Sequence, residues 1–237
     1  MFEMRCRIRY SEIDYTGRLS MSGLLRLFQD CGYEHARLRK LDFSYTERTR
    51  CTWYLLSWYI HAYKMPAVGE DVMVSTWIYG ASSAVARKSV ELRSADGELL
   101  AAGDTMWVYM NVDTQQPANQ PENLWEGSDF GEPLELPDSR RRILINGEAE
   151  SLPALTAPMT LIDTNDHANN VKLTELAMQL CGMELSCEAL RAEFKQQVSE
   201  GMELRPVFYE DEEQRYLSLK NTAGQTMATF SFRKKQK

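Results

Sequence analysis

The chain has 237 residues, 43% hydrophobic and 26% charged, which is enough apolar material for one large core or two of ordinary domain size and excludes a predominantly disordered chain. Thirty-four acids against 27 bases give a net charge of −7, which argues against chain-wide attraction to nucleic acid or to an anionic membrane. Five widely spaced cysteines, Cys6, Cys31, Cys51, Cys181 and Cys187, form no C-x-x-C pair and suggest neither a disulfide framework nor a zinc site. They fit a reducing cytoplasm. No run reaches the ~18 apolar residues of a membrane span, and the start MFEMRCRIRY alternates charge with apolar residues, so a soluble, untargeted protein is expected.

Met4, Cys6, Ile8 and Tyr10 alternate with Arg5, Arg7 and Arg9, the period of a strand with outward arginines. From Met21 the period lengthens: Met21, Leu24, Leu25, Phe28, Cys31 and His35 recur at three- and four-residue steps, predicting a helix to about Lys40. Strand-rich segments follow at 51–63, 71–80, 85–94 and 99–112, with Pro66, Gly69 and Asp96-Gly97 at the turns. Residues 113–140 gather four of the eight prolines among acids and read as a linker. The pattern then restarts: RRRILINGEA (140–149) is expected as a first strand, 161–182 as a helix with its approach, and four strands between 188 and 234 complete the set.

The halves align on Asp14 with Asp163, on Cys31-Gly32 with Cys181-Gly182, and on LRSADGELLAA with LKNTAGQTMAT. Two copies of one β-helix-β-β-β-β unit, an α+β architecture, are therefore predicted. The most unusual segment is Asp163-Thr-Asn165-Asp-His167-Ala-Asn169-Asn170, which crowds polar side chains at the entry to an apolar helix. The first copy has Asp14, Thr16 and Arg18 in place of Asp163, Asn165 and His167.

With D-x-x-G-R-L-S before the first helix, a linker, D-x-N-x-H-x-N-N before the second, and Arg191-Ala-Glu193 beyond it, the chain resembles the acyl-acyl carrier protein thioesterases of plants and bacteria over nearly its whole length. That resemblance implies a tandem hotdog fold, each domain an antiparallel sheet wrapped around a central helix: an N-terminal domain at 1–115, a linker at 116–139 and a C-terminal domain at 140–237. It implies catalytic roles for Asp163, Asn165, His167 and Glu193. No metal or organic cofactor has a ligand set in the sequence. Some members carry a cysteine directly after the glutamate; here the residue is Phe194, which closes a thiolate route at that position. Cys181 and Cys187 lie nearby in sequence, though buried cysteines are usually inert.

Water attack on a thioester needs a base, donors for the oxyanion and a dry slot for the chain. Glu193 is the candidate base; Asn165, with backbone N–H groups at the helix start, is the candidate oxyanion donor. His167 suits polarising the water or protonating the departing thiolate, and Asp163 suits orienting His167 or ordering Asn165. Asp163 is also readable as a cap, since Asp14 repeats it, and Asn169 and Asn170 as turn or cap residues. The family pocket lies in the N-terminal domain, making Met21, Leu24, Leu25 and Phe28 candidate walls. The implied partner is acyl carrier protein bearing a 4'-phosphopantetheine-linked acyl chain, met by Arg37, Arg39, Lys40, Arg48 and Arg50 or by Arg140, Arg141 and Arg142. An acyl-CoA thioesterase and a non-catalytic acyl-binding protein are the competing readings, and the chain is expected as a monomer or homodimer.

Overall fold

The computed structural model describes residues 1–126, 130–138, 140 and 142–235. They form two compact units, Met1–Trp58 with Ala62–Pro137, and Tyr59–His61 with Asp138–Lys237. Of the residues expected as a linker, 116–137 cluster with the first unit.

In the first unit, strand β1 (Phe2–Arg7) pairs antiparallel with β3 (Asp71–Ala81), β3 with β4 (Val85–Ser94) and β4 with β5 (Leu99–Asn111). Strand β2 (Cys51–Ala62) lies beside β5, whose end also pairs with β6 (Gln116–Pro117). The arginines of β1 are exposed as the alternation predicts, but the strand stops at Arg7 and Tyr10 is 85% exposed, because Tyr10–Glu12 winds into a 3₁₀ turn. Register lines up Met4, Val74, Leu92 and Ala101 across four strands. The helix α1 (Met21–Leu38) packs on this surface, and the Cys31 thiol reaches the Val74 carbonyl at 3.7 Å.

Ser20 starts α1 at its N-cap, where its Oγ accepts from the Gly23 N–H and donates to the Glu12 carbonyl. Gly23 is required there: a Cβ would overlap the Glu12 carbonyl oxygen. A second helix, α2 (Phe43–Thr49), was not expected from periodicity; it is capped by Asp42, whose carboxylate accepts from Ser44 and Tyr45 N–H groups.

In the second unit the order is β9 (Cys187–Phe194), β12 (Thr226–Lys234), β11 (Gln214–Lys220), β10 (Glu203–Glu210) and β7 (Glu150–Ser151), with β8 (Leu155–Thr156) also on β10. Ala192, Phe230, Leu217 and Phe208 face one another across this sheet, against which α3 (Asn170–Leu180) packs through Val171, Leu173, Ala177 and Met178. The strand expected at 140–149 does not form among the described residues. The Ile143 N–H is diverted to the Glu193 carboxylate, and Gly147 turns at φ +95° with its Cα so close to the Glu210 backbone that a Cβ would overlap it.

Gly23→Ala is expected to destabilise the protein by about 1–3 kcal/mol through overpacking at Glu12, read as a lowered melting temperature, while the control Gly32→Ala, at a helical position where an added Cβ meets nothing, leaves it unchanged or raised.

Candidate active site

The two helix-entry turns are built alike. In the first unit the Asp14 N–H donates to the Arg18 carbonyl, the Gly17 N–H to the Asp14 carbonyl and the Thr16 N–H to the Asp14 carboxylate. In the second, the Asp163 N–H donates to the His167 carbonyl at 2.9 Å, the Asp166 N–H to the Asp163 carbonyl at 3.1 Å and the Asn165 N–H to the Asp163 carboxylate at 2.8 Å. Ile13 bridges Leu19 and Ile162 bridges Ala168, closing each loop. The tight corner needs a left-handed residue, Gly17 at φ +77° in one copy and Asp166 at +61° in the other. Asp14 and Asp163 thus share an Asx-turn role in the loop and do not cap the helices, whose N-caps are Ser20 and Asn169.

Asp163 does more than Asp14. Its second oxygen accepts from the Asn169 side-chain amide at 3.3 Å, and Asn169 Oδ1 in turn caps α3 by accepting from the Val171 and Lys172 N–H groups. Among the described residues the Asp163 carboxylate bonds this turn and not the His167 ring, so it orders Asn165 and Asn169 instead of setting the imidazole tautomer. The Asn165 amide is exposed and makes no side-chain hydrogen bond among the described residues, leaving its donors open. The cap occupies the Val171 and Lys172 N–H groups, leaving the Asn170 N–H as the first open donor of α3. His167 is half-buried.

Glu193 lies on β9 with its side chain 16% exposed. One oxygen accepts from the Ile143 N–H at 2.7 Å and the other is 3.5 Å from the Lys195 ammonium. His167 is not among its direct partners in the described residues. Chain geometry still bounds the separation of the two regions: the Ala168 N–H, next to His167, donates to the Val198 carbonyl at 2.7 Å, and Val198 is five residues beyond Glu193, at most about 18 Å of extended chain.

The other candidates have diverse environments. Met21, Leu24, Leu25 and Phe28 are no more than 6% exposed and sit in the first unit's core. Arg140 forms a two-pronged pair with Asp138 and lines an open cleft of about 370 Å³ with Asn146, Tyr216 and the acids Asp211, Glu212 and Glu213, a poor setting for a phosphate. Arg142 is exposed, and Arg141 lies outside the described residues. Arg37 pairs with Glu34 and Arg50 with Asp113, while Arg39 turns inward and donates to the Leu124 carbonyl. The sequence reading missed Lys88. The period of VARKSVELRS, which places Lys88 on the same strand face as Val90 and Leu92, was the available signal.

The thiols are unsuited to nucleophilic attack. Cys181 caps the C-terminus of α3 and Cys187 opens β9; both are 3% exposed. Burial pushes the Cys181 thiol up to about 12 and that of Cys187 upward as well.

Each unit sets one helix against an antiparallel sheet, and the copies share their entry turns, which defines a tandem hotdog protein. Solved structures with this fold include an acyl-ACP thioesterase from Bacteroides thetaiotaomicron, with TM-score 0.84, 21% identity, and coverage of 98% of this chain and 97% of that one. The 12:0-ACP thioesterase from Umbellularia californica gives TM-score 0.86 at 16% identity, covering 100% and 97%. The family model for the acyl-ACP thioesterase N-terminal domain matches residues 1–127, and the chain belongs to the acyl-ACP thioesterase family. A chloroplastic palmitoyl-acyl carrier protein thioesterase from Gossypium hirsutum is 26% identical over 73% of this chain and 45% of its own length, so the chain spans about half of that relative. No helix among the described residues is long and apolar enough to cross a membrane.

At about pH 8, iodoacetamide is expected to leave Cys31, Cys181 and Cys187 unmodified in the native protein and to label all five cysteines in urea, as read by peptide mass spectrometry. Native labelling of Cys181 at the rate of a free thiol would overturn its assignment as inert.

Proposed function

We propose that this chain hydrolyses the thioester of a fatty acyl group on acyl carrier protein, releasing free fatty acid and the carrier. The observation that carries this reading is the second entry turn. In a member of this family, Asp163 braces Asn165 and Asn169 while the Asn165 side-chain amide and the Asn170 N–H remain unused.

In this mechanism Glu193 takes a proton from water, whose oxygen attacks the thioester carbonyl carbon. The Ile143 N–H and the Lys195 ammonium hold the carboxylate in place. Asn165 and the Asn170 N–H stabilise the oxyanion, and such a donor is typically worth about 10²–10³ in rate. When the carbon–sulfur bond breaks, His167 supplies the proton that restores the pantetheine thiol, and the proton that Glu193 took from water returns to His167 through solvent to close the cycle. No step uses a protein thiol, consistent with Phe194 beside the base and with the buried state of Cys181 and Cys187.

The carrier is acidic, and Lys40 and Arg48 are exposed cations with no acid partner among the described residues. They form the docking surface in this reading, with Arg142 a second contact. Five free cysteines fit work in a reducing compartment such as the cytoplasm, by a monomer or a homodimer.

His167→Ala and Glu193→Ala are each expected to lower kcat/KM on acyl carrier protein substrates by about 10²–10⁴ with unchanged circular dichroism and melting temperature. Full activity in both variants rejects the site. Lys40→Glu with Arg48→Glu is expected to raise KM for the acyl carrier protein substrate and to leave hydrolysis of the matched acyl-CoA unchanged.

A further inference from the structure

The interior of the first unit changes character along α1. Leu24 and Phe28 are followed on the same side, at three- and four-residue steps, by Cys31, His35 and the C-cap Arg39. Opposite them on β4, Leu92 and Val90 give way to Lys88, which stands in register between Ile78 and Thr105, both buried. The Lys88 ammonium lies 6.0 Å over the Trp107 ring, and the Trp107 indole N–H is already given to the Thr105 hydroxyl.

This polar end holds donors and positive charge without a counter-ion. Lys88 has no ion pair and no hydrogen bond to a carboxylate among the described residues. Burial pulls its ammonium down to about 8, and the Arg39 guanidinium acts in the same direction. Arg39 gives one nitrogen to the Leu124 carbonyl and lies 5.1 Å from the centre of the Trp125 ring, yet its Nε is buried with no acceptor among the described residues. The Trp53 indole N–H, whose ring packs on Trp125 and Tyr109, is likewise buried with no acceptor. Burial drives His35 to about 3, so it stays neutral and adds no compensating charge. Among the described residues the half-buried Lys88 and Arg39 meet no acid, and the buried Arg39 Nε–H and Trp53 indole N–H have no acceptor, which is costly unless an acceptor arrives.

We propose that this end of the first unit's interior receives the far end of the acyl chain, and that Lys88 and Arg39 select a chain ending in a carboxylate over one ending in a methyl group. The inference rests on the thioesterase reading above, since it names the substrate class of that reaction. A methyl terminus leaves the Lys88 ammonium, the Arg39 Nε–H and the Trp53 indole N–H unsatisfied. A carboxylate pairs with both cations and takes the remaining hydrogen bonds, a bidentate geometry that suits the guanidinium especially.

The test uses the full chain in two arms. In the first, kcat/KM is measured on matched acyl carrier protein thioesters of saturated monocarboxylic and α,ω-dicarboxylic acids, for the native protein and for Lys88→Met. The native protein is expected to prefer the carboxyl-ended chain at one length, and Lys88→Met to lose about tenfold or more of that preference by losing activity on that chain alone. In the second arm, dodecanoate and dodecanedioate are titrated while tryptophan fluorescence is followed, with Lys88→Gln as a second variant. Tighter binding of the dicarboxylate that weakens in the variant supports the pocket even if no thioester is hydrolysed, which separates its failure from that of the thioesterase reading. Preference for the methyl-ended chain in both arms, unchanged by either substitution, overturns the proposal.

Discussion

The structure depends on how each helix is tied to its sheet at its first turn. An aspartate bends the chain, a residue with positive φ completes the corner, and a Ser or Asn cap passes the chain into the helix. In the first unit the Glu12 carbonyl takes both the N–H and the hydroxyl of Ser20; in the second the Leu161 carbonyl takes the Asn169 N–H. Neighbouring loops complete the clamp, through the Pro66 carbonyl to the Leu19 N–H and the Val198 carbonyl to the Ala168 N–H. These bonds satisfy helix-end groups that burial would otherwise leave orphaned.

Because the clamp is made largely by backbone groups, the side chains at the corner are free to diverge. Thr16 and Arg18 serve local structure in the first copy: Thr16 bonds Asp14, and Arg18 reaches the Met65 carbonyl. In the second copy the same positions carry Asn165 and His167, and the spare oxygen of Asp163 is recruited to hold the Asn169 amide. A turn already stable in its backbone can thus carry polar groups such as the exposed Asn165 and the half-buried His167 with little loss of fold.

The same economy explains the segment that fails to form a strand. Ile143 gives its N–H to Glu193, and a β9 carboxylate with a side chain only 16% exposed gains a fixed donor in addition to Lys195. A buried acid without such partners would be costly, whereas a short edge segment released from ladder pairing has solvent to satisfy its remaining groups. Near Lys88 the balance is opposite, since among the described residues the fold brings no acid to the charge.

From the sequence alone, the doubled α+β plan was legible. Apolar stripes at helical and strand periods, and the repeated Asp14 and Asp163, report local geometry that depends on near neighbours. The polar octapeptide was legible for the same reason, being contiguous. What the tertiary structure decided are relations between distant residues. Period two foresaw strands but not that Ile143 would be spent on a carboxylate fifty positions away. The clustering of arginines after α1 did not reveal that Arg39 turns inward to Leu124 while Arg48 stays exposed. Alternation put Lys88 on one face of β4 with Val90 and Leu92, but only packing showed that no acid among the described residues comes to meet it, because an ion pair is closed by whichever element the fold brings alongside.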